Sequence, residues 1–311
     1  MTPLIAAGDV AGQGLEGVSG DLLPLFRELG DLKRIRSADR PGSIADRLFA
    51  DAWGALVAGA PVDRVMPITV AAAVAAARLG DLDAAKLRAL GLDRDDVLDV
   101  LRRSFDAVAA PLDPALTATL RAALGEALAG GKPPAFVAQL ARQPRAGVTC
   151  PDRPRIILQP EENHAEHCLV VTVYAVLVAP VFDADPAAVF LAAMAHHLHS
   201  AAMPDAGYSG EVMLGDKLDQ VIETSRELAL AQLEPALQRQ VLDAIAPIAD
   251  DASAEARAFH TGDVIDRVLE TQQHLMTARL TMEQVLGDYG LVHDGPVKSF
   301  HDRVLAAVGL P

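Results

Sequence analysis

Apolar residues recur at helical spacing along almost the whole chain, and the breaks between them fall at Gly, Pro and Asp. The pattern predicts helices over residues 21–29, 43–58, 63–79, 93–108, 113–128 and 135–142. Ser43 stands where an N-cap belongs, and the stretch 70–77 is almost free of polar residues and should be buried. After an extended segment at 155–159, a helix is expected beyond Pro160 and a turn at 182–185. A second helix should run to about residue 202 and stop near Pro204, followed by a loop at 205–210. Further helices are expected at 216–230, 235–248, 253–280, with a break near Gly262, and 298–308. Residues 1–19 read as a loose arm and 143–154 as an inter-domain linker. Alanine and leucine dominate and β-branched runs are short, so the fold class expected is all-α.

The two halves resemble each other at an offset of 120 residues. Residues 42–47 fall on 162–167, Asp63 on Asp183, and 72–75 on 192–195. With one residue of slippage, Leu112-Asp113-Pro114-Ala115-Leu116 meets Leu233-Glu234-Pro235-Ala236-Leu237. The Arg34-Ile35 pair has a counterpart in Arg155-Ile156. A shared offset over this length reads as a duplication.

At 311 residues and 51% hydrophobic content, one large or two ordinary domains can be built around a sizeable core. A formal charge of −15 argues against a broad nucleic-acid or anionic-membrane surface, but permits a small local anion site. Two cysteines, Cys150 and Cys168, are too few for a disulfide framework and fit a reducing, cytoplasmic setting. No basic start precedes the first apolar residues, so no secretory signal is expected. No uninterrupted apolar run reaches the ~18–20 residues of a membrane span.

Chemistry concentrates in two clusters. Of nine histidines, five lie in Glu161-Glu162-Asn163-His164-Ala165-Glu166-His167 and in Ala195-His196-His197-Leu198-His199. His164 and His167 are i, i+3, as are His196 and His199, so each pair would share a helix face. Each cluster adjoins an apolar run, and imidazoles facing one another from two buried helices could hold a divalent metal. Imidazole suits zinc, iron, nickel and copper, and the cofactor expected is a divalent transition metal, zinc, iron, manganese, cobalt or nickel. Asp263 and Asp266 offer a carboxylate on a later helix.

This order of histidine, histidine doublet and late aspartate resembles the HD-domain superfamily of metal-dependent phosphohydrolases. Glu162 to His167 is similar to the Glu-Asn-x-x-Glu-His opening of its 5'-deoxynucleotidase-like branch. The resemblance spans roughly residues 155–280. It implies His167, His196 and Asp263 as metal ligands, and His197 as a fourth or as a hydrogen-bonding neighbour. His197 stands where the family has aspartate, which makes the site one unit more positive and favours softer metals. The family's glutamate after the pair is Ser200 here, whereas Asp205 fits its following aspartate and is implied as the proton-transfer residue.

Two tandem HD-like bundles are therefore expected, at 20–145 and 155–311. Arg47, Ala76 and Ala77 replace the histidines of the first, which would be metal-free. A degenerate copy of this kind braces, dimerises or regulates its neighbour, so a homodimer is left open. Arg155 and Lys217 are candidates for a phosphate contact and Tyr208 for base stacking, with surface roles as the plainer reading. His164 and His199 read as exposed, and His260 as a hydrogen-bonding neighbour of Asp263. The expected function is hydrolysis of a nucleotide or other small phosphate ester. A non-catalytic HD scaffold and a di-iron HD oxygenase are the alternatives, separable by metal stoichiometry.

Overall fold

Helix formers at a 3.6-residue period produce an all-helical protein in the computed structural model, which describes residues 17–275 and 280–311. Most of the expected N-terminal arm, and the end of the 253–280 helix, lie outside the described residues. Among the described residues are fourteen α-helices and no strand. The first seven are α1 (Leu23–Gly30), α2 (Ile44–Val57), α3 (Val62–Leu79), α4 (Ala84–Ala89), α5 (Arg94–Asp106), α6 (Pro114–Ala122) and α7 (Ala135–Leu140). The rest are α8 (His164–Val178), α9 (Pro186–Ala195), α10 (Gly207–Leu214), α11 (Leu218–Leu230), α12 (Pro235–Ile245), α13 (Ala254–Leu275) and α14 (Lys298–Ala307).

The centre is α8. It is apolar on every side after its first turn, and all of its residues are buried, so it must be enclosed by other helices. α13, α9 and α2 surround it, and α3 lies against α9. Tyr174 of α8 stacks on Phe26 of α1 with ring centroids 4.2 Å apart and donates its hydroxyl to the Phe26 carbonyl. Buried apolar side chains from Val18 to Leu310 form one contiguous cluster that both halves share. One segment, 164–182, is long and apolar enough to cross a membrane, and 89% of its most apolar window is buried inside the protein.

Two close crossings set the spacing around this centre. Gly262 lets α13 touch α8: a β-carbon there would sit 2.8 Å from the Ala175 backbone nitrogen. The expected break at Gly262 is absent, because the glycine serves packing and not chain reversal. Gly54 of α2 meets Gly131, where a β-carbon would come within 2.6 Å of the Gly131 carbonyl oxygen.

The helix starts of α2 and α8 are built alike. Ser43 and Asp46 form a capping box on α2, and Asn163 and Glu166 form one on α8. The two boxes meet, with the Asn163 amide donating to Asp46 at 2.9 Å. The segments leading in correspond differently from the expected pairing. Ile44 N–H donates to Ile35, but His164 N–H donates to Gln143, so Gln143 and not Ile156 takes the place of Ile35. Ile156 pairs with Val148 instead. The segment 143–154 is consequently fastened at Pro144 and Val148 to Asn163 and Ile156 and does not run as a free tether.

Three other expectations change. The helix of the histidine doublet stops at Ala195, and a 3₁₀ turn (Leu198–Ala201) follows it. α10 occupies part of the expected loop, and α4 arises from an Asp83 N-cap that the pattern did not disclose. The helix expected over 113–128 ends at Ala122, ahead of a turn at Gly125 with φ +77°.

Gly262→Ala forces α13 and α8 apart and should cost about 1–3 kcal/mol. The denaturant midpoint should fall at unchanged slope, and an unshifted midpoint would contradict the close crossing. Burial, together with the nearby Asp46, raises the Glu166 carboxyl from 4.5 to about 7. The folded state therefore holds the Glu166 proton more tightly than the unfolded one, and stability should decline as pH rises between those values. Glu166→Gln should flatten that decline in pH-dependent unfolding; an identical profile would rule the assignment out.

Candidate metal centre

Three elements bring the chemistry together. The capping box fixes the first turn of α8 and with it His167, which is wholly buried. α9 ends just before His196 and His197. On α13, Asp263, Asp266 and Glu270 fall at i, i+3 and i+7 on one face. In a continuous helix, adjacent side chains point ~100° apart. The chain leaves helical geometry at His197 (φ −107°, ψ 22°), and both rings of the doublet turn toward His167. Centroids lie 5.2 Å from His167 to His196, 5.2 Å from His167 to His197, and 4.3 Å between the doublet rings.

One ring nitrogen from each of these histidines lies within 4.8 Å of the others, a grouping that can hold a metal ion. The lone pairs are free for it. Nδ1 of His196 is 2.6 Å from the Ala193 carbonyl, which only accepts, so that nitrogen carries the proton and Nε2 is bare. Nδ1 of His167 donates to Asp266 at 2.8 Å, leaving its Nε2 bare 3.3 Å from Asp263 Oδ1. Among the described residues, buried His167 Nε2, His196 Nε2, His197 Nδ1 and Asp263 Oδ1 find no hydrogen-bond partner. Three imidazoles gathered in a protein interior, with the orphaned Asp263 Oδ1 beside one of them, are costly unless a ligand joins them. Burial and the neighbouring rings hold both doublet imidazoles well below their ordinary pKa, hence neutral. Burial alone would raise Asp263, but Arg267 and the histidines hold it well below the usual carboxylate range. Three imidazoles and a nearby carboxylate make a donor set suited to a divalent transition metal.

A second grouping, Glu162, His167 and Asp266, has donor atoms equally close together. There the cation is already present: Lys33 Nζ lies 2.5 Å from Glu162, 2.6 Å from Asp266 and 3.3 Å from Glu270.

A pocket opens beside His197, with Arg145, Arg267, Asp205, Tyr208 and Glu211 in its walls. Arg145 is largely buried; its Nε is 3.9 Å from Glu162, and its Nη1 is buried without a partner. Arg267 holds Asp263 at 2.9 Å and has an unpartnered Nε. Asp205 lines this pocket, but its oxygens accept from the Ala146 and Gly207 amides and sit 3.3 Å from His164 Nε2. Against burial, those donors hold it ionised far below the usual range, so it acts as a strut more readily than as a proton carrier. Glu211 is the opposite case: burial, then the charge of Asp205, pushes its carboxyl upward.

The remaining candidates lie apart from the donor set. Arg155 bonds the carbonyls of Ala146 and Ala206, and Lys217 is an exposed partner of Asp216. Tyr208 stacks on His293 at 3.9 Å. His260 faces the Ile248 carbonyl. Contrary to the exposed reading, His164 is buried with its ring 4.7 Å from His197, and burial lowers both His164 and His199 to about 4. Sequence reasoning missed Arg145, hidden in a supposed linker, and Lys33, to which it gave no role.

Protein purified without chelator should contain a transition metal, and chelation should lower its melting temperature, because the donors assemble only on folding. His196→Ala should empty most of the site. Metal-free protein by elemental analysis, with a melting temperature indifferent to chelator, would refute the centre. No protein-family model, curated protein or solved structure matches this chain, so the reading rests on its own residues.

Proposed function

We propose that the protein is an HD-type metal-dependent phosphohydrolase acting on a nucleotide or other small phosphate ester. Its ion, one of zinc, iron, manganese, cobalt or nickel, is held by His167, His196, His197 and Asp263. The observation that carries the reading is Arg145: a largely buried guanidinium with an unpartnered nitrogen, in the pocket that opens on His197. A buried cation with unused donors calls for an anion, and guanidinium matches phosphate geometry. Arg267 adds a second positive group in the same wall.

The metal supplies Lewis acidity toward the phosphoryl oxygen and makes a water molecule easier to deprotonate. Arg145 orients the phosphate and offsets its charge. The leaving oxygen needs a proton, and we assign that role to Glu211 in place of Asp205, because both line the pocket and burial pushes the Glu211 carboxyl upward. Asp205 instead fastens the Ala146 and Gly207 backbone that frames the pocket.

The tandem organisation, a degenerate bundle at 20–145 and a metal-binding one at 155–311, belongs to the same proposal. The joined capping boxes and the paired close crossings at Gly54 and Gly262 support it. Arg47, in the place of His167, is an ion-pair partner of Asp81 and leaves no ligand there.

Metal-loaded protein should release phosphate from nucleoside monophosphates or a generic phosphomonoester. Arg145→Met should raise KM at least tenfold without altering metal content. Glu211→Gln should lower kcat by ~10²–10⁴-fold, the usual worth of acid–base help. Inactivity across a broad ester panel, with inorganic phosphate binding unchanged in Arg145→Met, would remove the hydrolase reading. One ion per chain separates this reading from a two-iron oxygenase, and none would favour the scaffold.

A further inference from the structure

The half that lacks the donor set contributes a residue to the centre of the other. Lys33 ends the 3₁₀ turn after α1, at the start of the chain's first half, yet its side chain is only 2% exposed. Its ammonium has three protons, and three carboxylates surround it: Glu162, Asp266 and Glu270. The cage carboxylates are not equivalent. Glu270 also receives Arg34 at 2.6 Å and His274 at 2.8 Å, and Glu162 has Arg145 nearby. Among the described residues no second cation pairs with Asp266: Lys33 takes Oδ1 at 2.6 Å, and Oδ2 takes the Nδ1 proton of His167 at 2.8 Å. A continuous line therefore runs from Lys33 through Asp266 and the His167 ring to the orphaned Nε2 that faces Asp263.

We infer that Lys33 is a positioning residue for the metal centre, acting through Asp266 to fix the His167 tautomer and ring orientation. The inference rests on the metal-centre reading and is independent of the hydrolase reading. With Lys33 in place, Asp266 is turned so that one oxygen is committed to the ammonium and the other to the imidazole. Without it, Asp266 stands among the like charges of Glu162 and Glu270, and repulsion favours swinging it away from His167. Loss of that acceptor frees His167 to carry its proton on Nε2, the nitrogen the metal needs bare. Carboxylate or backbone partners behind a ligating histidine are typically worth 10–100-fold in metal affinity. Here the partner is itself held by a lysine 134 positions before the histidine, counting 167 minus 33 in the sequence. The metal-free half thereby completes the electrostatic surroundings of a ligand that belongs to the other half.

The test uses the full chain in three forms of measurement. Cobalt(II) affinity is followed by visible absorption, and folding by far-ultraviolet circular dichroism. The His167 tautomer is read in metal-free protein from long-range proton–nitrogen correlations of nitrogen-15-labelled histidine, assigned with His167→Ala. Lys33→Met should weaken cobalt binding about 10–100-fold and shift the His167 proton from Nδ1 toward Nε2. Lys33→Arg, which keeps the charge, should recover much of the affinity. Lys33→Met combined with Asp266→Asn should bind no more weakly than Asp266→Asn alone, because both changes cut one line. A folded Lys33→Met protein with wild-type cobalt affinity and His167 still protonated on Nδ1 would overturn the inference. Fully additive losses in the double variant would also do so. If Lys33→Met does not fold, Lys33→Gln, which keeps two donors and loses the charge, is read by the same criteria. Wild-type protein that takes up no cobalt would sink the metal centre and this inference together. Wild-type binding matched by Lys33→Met would sink this inference alone.

Discussion

Burial of the Lys33 ammonium among Glu162, Asp266 and Glu270 is the feature from which the arrangement follows. Four charged groups removed from water are tolerable only when each is paired, and taking away one partner leaves the rest uncompensated. Lys33 comes from the turn after α1, Glu162 from the entry to α8, and Asp266 and Glu270 from α13. The cage therefore fixes three distant stretches of chain relative to one another. It does so beside His167, whose ring spans the distance between this cage and the cluster of bare donor atoms. The two neighbouring groupings differ in one respect. In the cage the cation is a covalent part of the chain, while at His167, His196 and His197 the ring nitrogens lie close together with no such cation among the described residues.

Packing and chemistry are tied at α8. Its apolar sides demand enclosure, and the helices that enclose it carry the remaining donors: α9 delivers the histidine doublet at its end, and α13 delivers the aspartates. The Gly262 crossing brings α13 against α8 one residue before Asp263, so the contact that sets helix spacing also sets the reach of that carboxylate. On the open side, 143–149 and the Asp205 loop form a wall in which the Ala146 amide donates to the Asp205 carboxylate, and Arg145 lines the pocket beside it.

Much of this was legible in the sequence because it is local. Helical periodicity disclosed the fold class and most elements, and the histidine clusters pointed to the imidazoles that the structure brings together. What was hidden depends on contacts distant in sequence. Lys33 had no role in the sequence reading, since nothing near it announces carboxylates that lie 129 or more positions away, counting 162 minus 33. Arg145 sat in a segment read as a linker because its composition is that of a loop. Asp205 was legible as an acid near the site, but the groups that hold its carboxyl low, His164 and the Ala146 amide, come from distant parts of the chain. The end of α9 before His196 was also hidden, for no Gly or Pro marks it. The apolar run continues smoothly into the doublet, and the tertiary setting determines where the helix stops.

The decisive measurement is anomalous scattering from crystals of the protein, recorded at the absorption edge of whichever transition metal copurifies. One peak per chain is expected, bounded by His167 Nε2, His196 Nε2, His197 Nδ1 and Asp263. A peak inside the Glu162, Asp266 and Glu270 cage, with Lys33 displaced, would contradict the assignment, as would the absence of any peak after soaking with cobalt or zinc.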